Sequence, residues 1–257
     1  MRKIYARPRL LKRNTFHYCP GCGHSVIHRL VAEVIDEMNL QDRIIGIPPP
    51  GCSVFAHHYF DIDMAESAHG REAAVATGIK RAAPEVIVFT YQGDGDLAAI
   101  GTAETIHAAN RGEKITAIFI NNAVYGMTGG QMAPTTLSDQ KTTTTPYGRD
   151  VKIEGYPIKI SEMLALTKGT AYIERTAVNS PANIRKTKKA IRKAFQAQID
   201  DLGFSLVEIL SPCPTNWRME PLESWQWIDR VMTKEFPLGV IKDITGTNTH
   251  GNLPSNE

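Results

Sequence analysis

Two groups of residues in this chain have the types and spacing to do chemistry: four cysteines and a glycine–aspartate loop. Cys19 and Cys22 form a C-x-x-C in Tyr18-Cys19-Pro20-Gly21-Cys22-Gly23-His24, a short turn that lets two thiolates point at one ion. Cys52 lies in Pro50-Gly51-Cys52-Ser53 and Cys213 in Ser211-Pro212-Cys213-Pro214, after stretches that read as strands, 43–47 and 205–210. Loops at strand ends are where open α/β sheets build sites. Four thiolates suit zinc or an iron–sulfur cluster. Two of the four are isolated in sequence, which favours a cluster held between segments of a folded domain over a zinc module with two close pairs.

The second group is Gln92-Gly93-Asp94-Gly95-Asp96-Leu97-Ala98, between a buried strand and a helix. It matches the loose dinucleotide pattern G-x-G-x-x-A. Asp94 and Asp96 would however repel a pyrophosphate at the helix start. The next strand also ends in Asn121-Asn122, where a dinucleotide site wants an acid for the ribose. A divalent cation between loop and phosphates removes both objections. Asp94 then supplies a hard oxygen, Asn122 a second and the Val124 carbonyl a third, with diphosphate and water completing the octahedron magnesium prefers.

The elements that must position these groups follow from hydrophobic periodicity. Helical spacing runs over 24–39, through Val26, Ile27, Leu30, Val31, Val34, Ile35 and Met38. Strands are expected at 43–47, 85–91, 115–120, 170–175 and 204–210, and helices at 70–82, 97–110, 161–167, 181–199 and 221–234. Leu97, Ile100, Ala103, Ile106 and Ala109 are the expected core positions of the helix at 97–110. Residues 123–160, rich in Gly, Thr and Pro, read as an ordered functional loop. Strands alternating with helices imply a parallel sheet covered on both faces.

The chain has 257 residues, 42% of them hydrophobic and 22% charged, as in an ordinary globular domain. Its 29 basic and 27 acidic residues leave a net charge of +2, too balanced to suggest nucleic acid. No apolar run is long enough to span a bilayer, and the N-terminal stretch does not resemble a secretory signal. A cytoplasmic protein is expected. Residues 1–18 form a basic arm carrying Arg2, Lys3, Arg7, Arg9, Lys12 and Arg13, with no acid before Glu33. A solvated arm, or one wrapped on a partner subunit, is expected ahead of a docking surface for an acidic electron carrier. Residues 19–236 read as the functional domain and 237–257 as a tail.

Gly93-Asp94-Gly95, followed after 25 residues by Asn121-Asn122, looks like the thiamine diphosphate motif. With Cys19-Pro20-Gly21-Cys22-Gly23, Gly51-Cys52-Ser53, Val124-Tyr125-Gly126-Met127-Thr128-Gly129-Gly130-Gln131 and Ser211-Pro212-Cys213, it resembles, in order, the landmarks of the β subunit of the 2-oxoacid:ferredoxin oxidoreductases, over roughly residues 15–220. The resemblance implies a three-layer α/β thiamine diphosphate-binding fold with a mainly parallel sheet. It implies a [4Fe–4S] cluster on Cys19, Cys22, Cys52 and Cys213, and magnesium on Asp94, Asn122 and the Val124 carbonyl. Gly93, Asp94, Gly95 and Asp96, with Asn122, Val124, Tyr125, Gly126 and Met127, would line the diphosphate. His24 and Gly51, Cys52 and Ser53 would approach the cofactor. His57, His58, His69 and Arg71 are the substrate-facing candidates.

The implied activity is oxidative decarboxylation of a 2-oxoacid to an acyl-CoA and carbon dioxide, through a thiamine diphosphate enamine that yields electrons singly to the cluster and ferredoxin. 2-Oxoglutarate is placed slightly ahead of 2-oxoisovalerate, with pyruvate a further alternative. A Glu from a partner α subunit would activate the cofactor, so the chain is expected to be inactive alone; γ and δ subunits are further expected partners. No nucleic-acid or membrane partner is expected. Two other classes compete: a non-redox thiamine decarboxylase or synthase subunit with a structural zinc held by the four cysteines, and a non-catalytic electron-transfer subunit.

Overall fold

The structure is a computed structural model describing residues 6–246. In chain order it runs α1 (His24–Glu37), β1 (Ile44–Ile47), β2 (Asp63–Met64), α2 (Glu72–Ala82), β3 (Ile87–Gly93), α3 (Thr102–Arg111) and β4 (Thr116–Asn121). It continues with α4 (Val151–Glu154), α5 (Ile160–Ala165), β5 (Thr170–Ala177), α6 (Pro181–Ile199), β6 (Phe204–Leu210), α7 (Pro214–Trp217), α8 (Pro221–Trp227) and β7 (Gly239–Asp243). The boundaries have local causes. Ser180 caps α6 by accepting from the Asn183 N–H at 3.2 Å, and Pro181 opens its first turn. Gly112, left-handed at φ 66°, ends α3.

The strands form one sheet in the order β2-β1-β3-β4-β6-β5-β7, parallel except for the β5–β7 edge pair. Both faces are covered. Ile87, Phe89 and Tyr91 of β3 join a core with α1 and α6, whereas Val88 joins Ala73, Ala108 and Leu164 of α2, α3 and α5 on the other face. This period-two division explains why the central strands are apolar throughout. The parallel register aligns the ends of β3 and β4, pairing Gly93 with Ile120, and those of β4 and β6, pairing Asn121 with Leu210. The loops holding Cys52, Asp94, Asn122 and Cys213 therefore leave β1, β3, β4 and β6 at the same edge of the sheet. Among the described residues, no helix is long and apolar enough to cross a membrane.

Several segments depart from the pattern read in sequence. The helix expected over 97–110 is interrupted: Asp96–Ile100 coils as a π turn and α3 restarts after Gly101. The wider turn shifts the helical phase. Leu97 and Ala109 are buried as expected, but Ala103 is exposed and Ile100 is 50% exposed. The segment 221–234 is likewise divided, with a π turn at Ile228–Met232. β7 occupies part of the segment read as a tail.

The basic arm is not simply solvated. Leu10 and Leu11 are buried, the Lys12 N–H donates to the Tyr59 carbonyl at 2.8 Å, and the Asp61 N–H donates to the Leu10 carbonyl at 2.7 Å. Residues 8–12 thus dock on their own chain; Arg2 and Lys3 lie outside the described residues.

Candidate functional site

The sheet edge holds a cleft of about 280 Å³, lined by the loops after β1, β3 and β4. Asp94 stands at its floor, 3% exposed. Its Oδ2 accepts from the backbone N–H groups of Asn122 at 3.3 Å and Val124 at 3.2 Å. Its Oδ1 is buried with no hydrogen-bond partner. Burial pushes this carboxyl well above its usual range. An orphaned buried carboxylate oxygen is costly unless something positive meets it, so the donor set fits a hard cation. The two adjacent asparagines divide their work. Asn121 turns inward, donating to Glu208 Oε1 at 2.8 Å and accepting from the Ala123 N–H at 3.1 Å. Asn122 lines the cleft, and Trp217 donates to its carbonyl at 2.9 Å.

Asp96 has a different role from Asp94. Its Oδ2 accepts from the Gly93 N–H at 3.0 Å, and His69 Nδ1 lies 2.5 Å from its Oδ1. Glu72, fully buried, completes a cluster with His69 and Asp96. Glu72 accepts from the Gly70 N–H at 3.2 Å and from Gln92 Nε2 at 2.9 Å. Burial, then the charge of Asp96, push Glu72 up to about 7 from 4.5. Between those pH values the folded chain binds more protons than the unfolded chain, so stability falls as pH rises through this window. Glu72→Gln should therefore raise the unfolding midpoint by a few degrees at pH 8 and leave it nearly unchanged near pH 4. Thermal melts at both pH values test this; parallel shifts would contradict it.

Cys52 lines the cleft; Cys19, Cys22 and Cys213 do not. Burial, then the charges of neighbouring cysteines, push the Cys22 thiol up to about 12, and burial with Cys213, Cys19, Asp96 and Asp94 does the same at Cys52. Cys213 is also raised, first by burial and further by the charges of Cys19 and Asp94. The four sulfurs therefore sit within electrostatic reach of one another, and Cys213 within reach of Asp94. Yet among the described residues no three of these sulfurs lie within 4.8 Å of one another. Asn216 Nδ2 donates to the Gly126 carbonyl at 2.9 Å and to Cys213 Sγ at 3.2 Å. A Cβ on Gly126 would stand 3.1 Å from Cys52 Sγ.

The remaining candidates divide clearly. His24, Gly51, Ser53, Gly95, Tyr125 and Met127 all line the cleft, as does His69. His24 Nδ1 pairs with the Tyr91 hydroxyl at 3.0 Å, and burial lowers the imidazole to about 3, so the ring is neutral. Met127 is 55% exposed, so it lines the opening rather than packing in the core. Arg71 does not line the cleft; it pairs with Glu104 at 2.6 Å. His57 and His58 are exposed and also lie outside it. Sequence reasoning missed Ile100 because the π turn that redirects it has no periodic signature. It missed Asn216 and Trp217 because a single polar or aromatic residue on a short helix carries no pattern.

Residues 51–209 match the family model described as thiamine pyrophosphate enzyme, C-terminal TPP binding domain. The chain is 49% identical over 227 residues to the ketoisovalerate oxidoreductase subunit VorA of Methanothermobacter thermautotrophicus, an alignment covering 88% of this chain and 48% of that protein. The chain thus spans about half the length of that relative. It is 38% identical over 206 residues to the 2-oxoglutarate synthase subunit KorB of Archaeoglobus fulgidus, covering 80% of this chain and 73% of that one. Its fold is that of the 2-oxoglutarate:ferredoxin oxidoreductase from Magnetococcus marinus solved with 2-oxoglutarate, coenzyme A and succinyl-CoA bound: TM-score 0.77, 23% identity, covering 98% of this chain and 87% of that chain.

Proposed function

Because the chain belongs to the thiamine pyrophosphate enzymes and, among them, to the subunits of the 2-oxoacid:ferredoxin oxidoreductases, we propose that it binds thiamine diphosphate–Mg2+ beside a [4Fe–4S] cluster and, with an α subunit, catalyses CoA-dependent oxidative decarboxylation of a 2-oxoacid. One observation carries this reading: the loop after β4 touches both sites. It supplies Asn122 and Val124 to the cation position, and its Gly126 abuts Cys52 and, through Asn216, Cys213. When bound, thiamine diphosphate supplies the carbanion-stabilising chemistry of decarboxylation, and the cluster accepts electrons one at a time.

This chain's own residues bind and orient. Asp94, Asn122 and the Val124 carbonyl would hold the cation; the backbone from Gly93 to Asp96 and from Val124 to Met127 would receive the diphosphate; neutral His24 and Ser53, which line the same cleft, would border the cofactor. Among the described residues the carboxylates that line the cleft are Asp94 and Asp96, both tied to backbone N–H groups. A Glu that activates the cofactor is therefore assigned to the partner subunit, and the active site to the interface. The sulfur spacing favours a cluster over zinc, since four thiolates about 2.3 Å from one tetrahedral ion would lie about 3.8 Å apart. Ferredoxin is the proposed electron acceptor and the cytoplasm the proposed compartment.

2-Oxoglutarate carries a second carboxylate that needs a cation. Among the described residues no Lys or Arg lines the cleft, whereas Ala99, Ile100 and Met127 do. Together with the 49% identity to a ketoisovalerate subunit, this favours branched 2-oxoisovalerate as a second reading. The test is ferredoxin reduction by the anaerobically isolated complex, given each 2-oxoacid in turn. Reduction that requires the α subunit, CoA and one preferred 2-oxoacid is expected. Carbon dioxide release without acceptor reduction would instead indicate a non-redox decarboxylase.

A further inference from the structure

The turn that carries the proposed cation ligands holds a buried residue in a left-handed conformation without being glycine: Ala123, φ 58° and 0% exposed. Such a residue is strained and persists only where its surroundings hold it. Two hydrogen bonds fix it. Its N–H donates to Asn121 Oδ1 at 3.1 Å, and its carbonyl accepts from Thr136 Oγ1 at 2.6 Å. Thr136 Oγ1 also accepts from the Ala133 N–H at 2.9 Å, so the hydroxyl's direction is set. The adjacent Thr135, also buried, stands by Asp94 and favours its charged form.

Behind these threonines stands Arg149, 4% exposed. A guanidinium has five N–H donors. Nη1 donates to the carbonyls of Pro134 at 2.9 Å and Thr136 at 2.5 Å, Nε to Gly155 at 2.8 Å, and Nη2 to Glu154 at 3.2 Å and Tyr156 at 2.9 Å. All are backbone carbonyls, and among the described residues Arg149 makes no salt bridge. A buried cation spent entirely on main-chain oxygens fastens the two ends of one loop together. One of those ends carries Thr135 and Thr136.

We infer that Thr136, braced by Arg149, is a positioning residue of the cation site: it holds Ala123 left-handed, so that the N–H groups on either side of it, of Asn122 and Val124, both reach Asp94 and keep the proposed ligands beside it. This rests on the assignment of Asp94, Asn122 and Val124 as cation ligands.

The test measures thiamine diphosphate binding to the isolated complex as a function of Mg2+ concentration, followed by tryptophan emission, because Trp217 donates to the Asn122 carbonyl. Thr136→Val keeps the shape and removes the hydroxyl. It should raise the Mg2+ needed for half-maximal binding about 10-fold or more, as outer partners of metal ligands do. Thr136→Ser should recover most of that loss, and Arg149→Gln should reproduce it. Should Arg149→Gln fail to fold, the Val and Ser pair still decides. Parental Mg2+ dependence in Thr136→Val, alongside lost binding in Asp94→Asn, would overturn this inference alone. Parental dependence in Asp94→Asn as well would overturn the ligand assignment beneath it.

Discussion

Asp94→Asn should unfold at a higher temperature than the parent in the absence of cofactor, and yet bind thiamine diphosphate–Mg2+ on the order of 100-fold more weakly. Both halves come from one cause. The Asp94 carboxyl is buried, one of its oxygens has no partner, and burial pushes its proton affinity up. A carboxylate there is a liability to the empty fold. Asparagine removes the charge and keeps an oxygen able to accept from Asn122 and Val124. The affinity loss follows because even outer partners of a metal contribute about 10–100-fold, and a direct anionic ligand contributes more. Such opposition of stability and function marks a residue kept for binding. Iron content should stay close to parental, since the cysteines remain. A variant that is less stable and binds normally would mean that Asp94 is only a turn residue.

The second large effect is expected at the cysteines. Cys22→Ser, Cys52→Ser or Cys213→Ser should remove the visible absorbance and the iron of the isolated complex entirely. All three thiols are pushed upward by burial and by the charges of neighbouring cysteines. Thiolates at these three positions are stable together only with positive charge among them, because the thiolate is the ligand and burial opposes it. Cys19, the exposed member, should show the same loss, with an iron assay to detect any partly occupied cluster. Thiamine diphosphate binding at saturating Mg2+ should survive, because the cation ligands lie on other loops. Retained absorbance in any one variant would remove that cysteine from the ligand set.

Much of this layout was legible in the sequence. The span of α6, Pro181–Ile199, and that of β6, Phe204–Leu210, follow directly from their apolar spacing and flanking Pro and Gly. The convergence of Cys52, Asp94, Asn122 and Cys213 follows from parallel strands, whose following loops must emerge at one edge. What escaped was set by tertiary contact. Ile100 faces the cleft because a π turn adds a residue that hydrophobic counting cannot detect. Arg71 turns to Glu104, a neighbour distant in sequence, and His57 and His58 turn to solvent. Nothing in the sequence singles out Arg149, whose five carbonyl partners only the folded loop assembles.

The most direct test of a cluster and a cation-bridged cofactor side by side is the composition of the complex isolated without oxygen. About four iron and four sulfide per chain, with one thiamine diphosphate and its magnesium, are expected together. Zinc in place of iron, or iron without any thiamine diphosphate, would contradict it.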